Sequence, residues 1–213
     1  MVVLCYLQLD IDFRVHFPDA VNKFLQEFPQ WVKGILSTAR LSRKSNIIEL
    51  LREYDAEHHE SDPGARDYMF SLLALLHLLP SSNTRHKAKL SSIELENSLI
   101  TFRGQQISLD LFLSEKKADH NQKQPFLLCI GNKDSPMAFY LILDSKAVGL
   151  GDCGVLRAVD ALFKAHFVYW VDYGKCLALF MEFIQKVIYE IECTKMSVRV
   201  RELVNGINLM KTG

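Results

Sequence analysis

The sequence lacks the features that direct a protein to nucleic acid, to a membrane or to an oxidising compartment. Its 25 basic and 25 acidic residues cancel, so no net charge attracts it to nucleic acid or anionic lipid. The longest apolar run, Met69 to Leu79, is about half of the roughly 20 residues that a membrane-spanning helix needs. The five cysteines form no C-x-x-C pair, which argues against zinc ribbons and disulfide frameworks. We therefore expect an intracellular protein, cytoplasmic or nuclear, that binds neither nucleic acid nor a membrane.

The first half of the chain has the apolar spacing of amphipathic helices. Hydrophobic residues make up 49% of the 213 residues, which is enough for a sizeable core. Between residues 21 and 28, for example, apolar side chains recur every three or four positions. Ser91 and Glu94 have the spacing of a capping box and predict another helix start. The predicted helices cover residues 19–28, 30–39, 46–54, 63–79, 93–102 and 109–113.

The second half predicts a small sheet followed by helices. Three apolar segments separated by short polar turns indicate an antiparallel three-stranded meander over about 126–150. Because its strands are apolar at consecutive positions, we expect both faces of the sheet to be covered. Two long helices follow, starting near Val155 and Cys176, and then a short one that ends at Gly206. Each long helix has a polar stripe predicted to face solvent: Arg157, Asp160 and Lys164 on the first, Glu182, Lys186 and Glu190 on the second.

These elements together predict an α+β fold. No internal repeat, low-complexity tract or long linker divides the chain, so residues 1–213 are expected to form a single compact unit. The pattern changes near residue 103. It suggests a subdivision into a helical part, 1–103, and a part made of the meander and its helices, 104–213.

Three glycines between the meander and the next helix suggest a nucleotide site. Gly149, Gly151 and Gly154 spell G-x-G-x-x-G, the turn that places a pyrophosphate at a helix N-terminus, and Asp172 follows at a spacing that suits a ribose contact. Such a site needs a parallel βαβ unit, whereas the strand that reaches Gly149 is predicted to return antiparallel from a hairpin. We therefore expect a glycine-rich turn and no cofactor. Parallel pairing of residues 138–143 with 167–171 would support the nucleotide-binding alternative.

The other reactive residues do not assemble into a catalytic or metal site. Cys153 precedes a helix, where the pKa of a thiol can fall, but His166 lies about 20 Å farther along the same helix. His166 and His77 are predicted to be hydrogen-bonded core residues instead. The two adjacent histidines in the polar segment 56–60 point in different directions and lack the spacing of metal ligands. No catalytic residue and no metal ligand is therefore assigned.

Two polar patterns that can mark phosphate binding are predicted to be solvated loops. Asn132, Lys133 and Asp134 are contiguous, whereas the base-specificity loop of GTPases has one residue between the lysine and the aspartate. No G-x-x-x-x-G-K-[ST] loop accompanies them. The basic clusters at 40–44 and 84–89 contain no interleaved aromatic residues, so they give little support to nucleic-acid binding.

Several apolar and aromatic segments follow one another in a distinctive order. In the second half they are QPFLLCIG, FYLILDSKAV, VDALFKAHFVYWVDYGKCLALFMEFIQKVIYEIE and SVRVREL; upstream they are DFRVHFPDAVNKFLQEFPQWVKGIL and LLALLHLLPSS. This order resembles the C-terminal region of the sterile alpha motif domain-containing protein three-like group, which is numerous in fish. The resemblance implies an intracellular vertebrate protein whose relatives carry a sterile alpha motif nearer the N-terminus. No such motif is evident here, so we expect a truncated or divergent member, in which the three glycines are incidental.

The lack of a convergent acid, base, nucleophile or metal set predicts a non-catalytic protein-interaction or scaffold domain. Its candidate partner contacts are Tyr169, Trp170 and Tyr173, because aromatic anchors dominate interface energetics. Three alternatives stay open. The aromatic side chains close the core between two helices, the glycine turn binds a nucleotide, or the chain is a remnant of an older or mobile-element gene.

Overall fold

The computed structural model describes residues 3–56, 63–79, 90–118, 124–191 and 194–211, which form an α+β fold with a mixed four-stranded sheet. Among these residues, no helix is long and apolar enough to cross a membrane. The strands are β1 (Ile100–Arg103), β2 (Phe126–Gly131), β3 (Pro136–Leu143) and β4 (Lys146–Gly149). The α-helices are α1 (Val3–His16), α2 (Lys23–Glu27), α3 (Val32–Arg40), α4 (Ser45–Asp55), α5 (Pro63–Leu78), α6 (Ser92–Leu99), α7 (Leu109–Ala118), α8 (Val155–Val168), α9 (Ala178–Phe183) and α10 (Val198–Lys211).

The sheet contains the predicted meander and one further strand. β2, β3 and β4 pair antiparallel in chain order, as predicted. β1 lies beside β2 and runs parallel to it, and α7 lies in the connection between them. The prediction of a three-stranded, purely antiparallel sheet is therefore wrong. The helix predicted over 93–102 ends at Leu99, because the β-branched and aromatic residues Ile100–Phe102 are well suited to a buried strand.

The turn between β3 and β4 explains why β4 returns antiparallel. Asp144 and Ser145 both have positive φ, 48° and 57°. Two consecutive residues of this kind form the type I′ turn, whose twist matches a two-residue hairpin. The turn therefore directs the chain back along β3 and brings it to Gly149 at the end of the hairpin.

Hydrophobic clusters cover both faces of the sheet, as the consecutive apolar positions predict. The larger cluster joins helices from α1 to α10 with Leu127 and Cys129 of β2. The smaller one packs Phe112 of α7 against Phe126 and Leu128 on the other face. α5 lies at the centre of the larger cluster and is fully buried from residue 69 to residue 76, as its apolar run predicts.

The stripe of α8 that was predicted to face solvent is largely buried. Asp160 and Lys164 are both 0% exposed, although Arg157 remains in solvent. α1 covers this stripe. The sequence patterns did not predict a helix at these residues. Lys164 can be buried because it pairs with Asp160 one turn away, at 2.6 Å, and with Asp10 of α1. The prediction of a polar outer face for this helix is therefore wrong at two of its three positions.

The second C-terminal helix is less regular than predicted. α9 continues into a π-helical turn, Ile184–Ile188, and does not form a uniform helix to residue 191. Lys186, predicted in solvent, is buried and donates to Glu182 at 2.9 Å and to the carbonyl of Lys195. The final helix, α10, does not stop at Gly206. An interior glycine costs a helix only about 1 kcal/mol, so favourable packing on either side outweighs it.

Candidate binding site

The glycine turn and Asp172 lie at opposite ends of α8. Gly149 ends β4, Gly154 directly precedes α8, and Asp172 follows the helix. Fourteen helical residues span about 21 Å, so the turn and the carboxylate cannot hold the two ends of one nucleoside in the dinucleotide-fold arrangement. Residues 167 and 168 are helical, and β3 pairs with β2 and β4. The described residues therefore lack the parallel pairing that the nucleotide-binding alternative requires.

The three aromatic residues predicted as partner contacts separate into two roles. Trp170 is 85% exposed and Tyr169 is 45% exposed, so neither closes the core. Tyr173 is half-buried, and its ring contacts those of His166 at 5.0 Å and Phe163 at 6.4 Å. Tyr169 and Trp170 therefore lie at the surface, whereas Tyr173 lies between the surface and the core.

The position of Trp170 follows from the way α8 ends. The N–H of Val171 donates to the carbonyl of His166 at 3.0 Å, and the N–H of Trp170 donates to that of Phe167 at 3.3 Å. These are the two hydrogen bonds of a Schellman cap, which places Trp170 in the left-handed conformation at φ 53°. Glycine usually occupies this position, since a side chain there costs about 1–2 kcal/mol. The cap therefore holds a strained tryptophan in solvent.

This cap borders a cavity of about 390 Å³, here called the α1–α8 pocket. The two helices run parallel, because Asp10 contacts Lys164 and, two turns farther along both helices, His16 contacts Trp170. Their C-terminal ends therefore meet at the pocket. The lining is largely aromatic and comprises the rings of His16, Phe17, His166, Phe167, Trp170 and Tyr173. Asp172 and Gln185 add polar groups.

His166, which lines this pocket, has a buried ring nitrogen for which the described residues supply no hydrogen-bond partner. The residue is 4% exposed, and its Nδ1 lies 2.9 Å from the carbonyl of Val171. Because a carbonyl only accepts, Nδ1 carries the proton. Burial lowers the pKa of His166, against the weaker opposing effect of that hydrogen bond, so the ring is neutral and Nε2 keeps a lone pair. Nε2 is buried without a partner in the part of the chain that the structure describes.

The π-helical turn supplies the remaining polar group of the pocket. Tyr173 donates its hydroxyl proton to Oε1 of Gln185 at 3.1 Å, and Nε2 of Gln185 donates to the carbonyl of Ile191 at 3.4 Å. A π turn shifts the helix register by one residue and is frequent at functional sites. Here it turns a glutamine toward the pocket, a placement that the regular three- and four-residue repeat did not predict.

A buried polar cluster lies between α1 and α8 beneath the aromatic rings. Lys164 is joined to Asp160 and Asp10, and the hydroxyl of Tyr189 donates to Asp160. The Tyr189 ring stacks on Phe163, with 4.2 Å between centroids. These contacts tie α1, α8 and the end of the π turn together and so position the three segments that form the pocket.

The other sequence candidates do not form a second site. Burial raises the pKa of Cys153 to about 11, so its thiol stays protonated near neutral pH. His77 is a hydrogen-bonded core residue as predicted, with Asn46 and Glu96 each at 2.9 Å. No group of three metal-ligating side chains occurs in the described ranges. The histidines of segment 56–60 and the basic cluster 84–89 lie outside those ranges.

The polar hairpin and the remaining basic cluster are engaged in structural contacts. Asn132 accepts hydrogen bonds from the backbone of Asp134 at 3.0 Å and Ser135 at 2.7 Å, as expected for a turn. Lys133 binds Glu53 at 2.9 Å. In the 40–44 cluster, Arg40 forms a two-bond ion pair with Asp55. These side chains stabilise loops and helices of the same chain.

Comparison with known proteins adds no relative. No protein-family model matches the chain, and neither the curated proteins nor the solved structures contain a match. The site is therefore interpreted from its own chemistry. That chemistry comprises an exposed tryptophan, an aromatic pocket and a buried acceptor, and none of the described lining residues is a serine, threonine, cysteine or lysine.

Proposed function

We propose that this chain is a non-catalytic protein-interaction domain that binds its partner through the cap of α8. The observation that carries the proposal is the position of Trp170, which is 85% exposed beside a pocket of about 390 Å³. Tryptophan is the residue type most enriched among interface hot spots, especially next to a pocket that excludes water. Partner contacts are assigned to Tyr169 and Trp170 at the rim and to Tyr173 in the wall.

The energetic cost of this arrangement supports a binding role. The cap would be more stable with glycine, because the left-handed conformation strains a side chain by about 1–2 kcal/mol. The ring is also left largely in water, where it gains little burial energy. Strained residues cluster at ligand-binding sites, where the strain preorganises a contact. A tryptophan at this position lowers the stability of the free protein. Its presence is explained if the same side chain stabilises a complex with a partner.

The neighbouring helix extends the apolar surface. Leu7, Ile11 and Val15 of α1 are exposed and are spaced four residues apart, so they form one stripe along the helix. The end of α1 reaches the cap, where His16 contacts Trp170 at 6.1 Å between ring centroids. Adjacent exposed apolar side chains mark interaction surfaces more often than isolated ones do. The partner is proposed to contact the cap first and this stripe second.

Membership of the sterile alpha motif domain-containing protein three-like group is part of this proposal. It rests on the order of the apolar and aromatic segments quoted above. Relatives of that kind are intracellular, which fits a role in protein assembly without catalysis. A cytoplasmic or nuclear location is proposed on the same ground.

The test is a peptide-display selection against the purified chain, repeated on the Trp170→Gly variant. Glycine suits the left-handed position, so the variant keeps the cap and loses only the ring. We expect selected peptides to bind the variant about thirtyfold more weakly, the effect of losing a hot spot of about 2 kcal/mol. Leu41→Ala, which truncates an exposed leucine on another surface, should leave binding unchanged. Equal binding to the wild-type chain and the glycine variant would refute the proposal.

A further inference from the structure

We infer that the α1–α8 pocket binds a cationic side chain, arginine or lysine, presented by a protein partner. This inference rests on the proposed function and specifies the chemistry of the same site. It is carried by the electrostatics of the two helix ends, by the acceptor groups that line the pocket and by the aromatic walls. Each of these favours a positively charged donor over an anion or a neutral apolar group.

The two helix ends give the pocket a negative potential. α1 and α8 each contain 14 residues, and both end at the pocket. The C-terminus of a helix carries a partial charge of roughly −0.5, and two parallel helices add theirs. Asp172, exposed just beyond α8, adds a carboxylate. None of the described residues that line the pocket is a lysine or an arginine.

The lining of the pocket favours a ligand that donates hydrogen bonds. Nε2 of His166 is a buried lone pair without a partner, since its tautomer is fixed by the Val171 carbonyl. The carboxylate of Asp172 also accepts, and the hydroxyl proton of Tyr173 is already given to Gln185. A ligand that satisfies these groups must donate hydrogen bonds. A guanidinium, with five N–H groups in a planar fork, has a donor for each of them.

The size and the aromatic walls of the cavity suit a cationic side chain. Its volume of about 390 Å³ lies near the lower end of the roughly 300–1,000 Å³ found for ligand pockets, which suits a single side chain and not a dinucleotide. The rings of Phe17, Phe167 and Trp170 form its walls. Aromatic faces attract ammonium and guanidinium groups, and this attraction strengthens where water is excluded. The aliphatic stem of arginine or lysine can pack on the same rings.

The test titrates the whole chain with blocked amino acids at constant ionic strength. N-acetyl-arginine amide is compared with N-acetyl-citrulline amide, which keeps the length and a planar group with N–H donors, fewer than arginine's five, but is neutral. N-acetyl-lysine amide and N-acetyl-norleucine amide complete the series. Binding is followed by NMR through the indole N–H signal of Trp170, and Trp31, which does not line the pocket, serves as the internal reference.

We expect the arginine compound to shift the Trp170 signal with at least about fivefold higher affinity than the citrulline compound, as a cation–π contact predicts. Lysine should bind more weakly than arginine, and norleucine should not bind. If citrulline binds as tightly as arginine, or if no compound shifts the signal, the inference is wrong.

Two variants test the acceptor groups separately. His166→Asn can keep a donor toward Val171 and removes the acceptor at Nε2, so arginine affinity should fall about tenfold, the effect of leaving one donor unpaired. Asp172→Asn should weaken binding by a few-fold. Asp152→Asn, an exposed carboxylate at the other end of α8, is the matched control and should have no effect. Unchanged arginine affinity in His166→Asn would contradict the assigned role of that nitrogen.

The outcomes distinguish this inference from the proposed function. Displayed peptides that depend on Trp170 but share no arginine or lysine would overturn the cation inference and leave the interaction domain in place. An arginine compound that binds, while no displayed peptide does, would support the pocket chemistry and overturn the interaction domain.

Discussion

Replacing Lys164 by methionine removes the cation at the centre of the cluster that positions the pocket. The lysine is 0% exposed, and it donates to Asp160 at 2.6 Å and to Asp10 of α1. Methionine has a similar length, so the packing volume is nearly kept and the charge is lost. Asp160 is then a fully buried carboxylate that retains the hydrogen bond from Tyr189 but has lost the ammonium group of Lys164.

The cost can be estimated from these contacts. Breaking a buried ion pair by removing one partner costs about 3–5 kcal/mol, because the other charge stays buried. Asp10 keeps some access to water and Asp160 keeps the hydrogen bond from Tyr189, so we expect the lower end, about 3 kcal/mol. At this chain length 1 kcal/mol corresponds to about 2–4 °C, which gives a fall in Tm of roughly 6–12 °C. Urea unfolding followed by circular dichroism measures the free energy directly.

Two comparisons make the prediction refutable. Lys23→Met removes a lysine from a pair with the exposed Glu190 and should cost less than about 1 kcal/mol. In a double-mutant cycle with Asp160→Asn, the two changes should be non-additive by at least about 1 kcal/mol, since Lys164 and Asp160 are in direct contact. If Lys164→Met costs no more than Lys23→Met, the cluster does not hold α1 against α8, and our account of the pocket's support is wrong.

Three further predictions follow from single positions. Folding lowers the pKa of His166, so below about pH 6.5 the unfolded chain binds more protons than the folded chain. The stability that the neutral ring contributes is complete above that pH and is lost as the pH falls toward the folded pKa. Chemical unfolding at several pH values should show this pH dependence in the wild-type chain and its loss in His166→Asn. Cys153, whose pKa is raised to about 11, should resist iodoacetamide at neutral pH in the folded chain and react after unfolding. Mass spectrometry of the peptide that contains Cys153 measures the alkylation. Fast alkylation of the folded chain would contradict the prediction. Gly206→Ala should stabilise α10 by about 1 kcal/mol, since no atom lies within 4 Å of the added Cβ. Gly131→Ala should destabilise the chain by more than that, because the φ of Gly131 is 115° and the added Cβ would lie 2.3 Å from the carbonyl oxygen of Ser135. Thermal unfolding compares the two variants with the wild-type chain.

Local patterns predicted the elements whose signals lie within a few residues of one another. The capping box at Ser91 is present with both of its hydrogen bonds, and the meander follows the alternation of apolar segments and turns. β1 was missed because its four residues continue the apolar pattern of α6, and only pairing with β2, about 27 residues later, distinguishes strand from helix. Local periodicity contains no information about pairing with a strand that lies so far away in the sequence.

The burial of Asp160 and Lys164 shows a second limit of sequence patterns. A polar stripe indicates a solvent-exposed helix face only when its side chains have no partner inside the protein. Asp160 and Lys164 instead form an ion pair with each other across one helical turn. The signal that could have revealed this is the apolar character of α8 at most of its other positions, together with the two aspartates that alternate with apolar residues in α1. Those two facts become informative only once α1 is known to be a helix that packs against α8.

The pocket was beyond sequence reasoning because its parts come from three distant segments. Trp170 and Tyr173 were predicted as contacts from their aromatic character, whereas His16, His166 and Gln185, which also line the pocket, were not. His166 was predicted as a satisfied core histidine, and one of its nitrogens does bind the Val171 carbonyl. The other nitrogen has no partner in the described chain, and the hydrogen bond from Nδ1 to the carbonyl of Val171, a residue of the helix cap, decides which one that is. The tautomer that makes this nitrogen an acceptor is therefore set by the same cap that exposes Trp170, so a single local structure accounts for both halves of the proposed binding site.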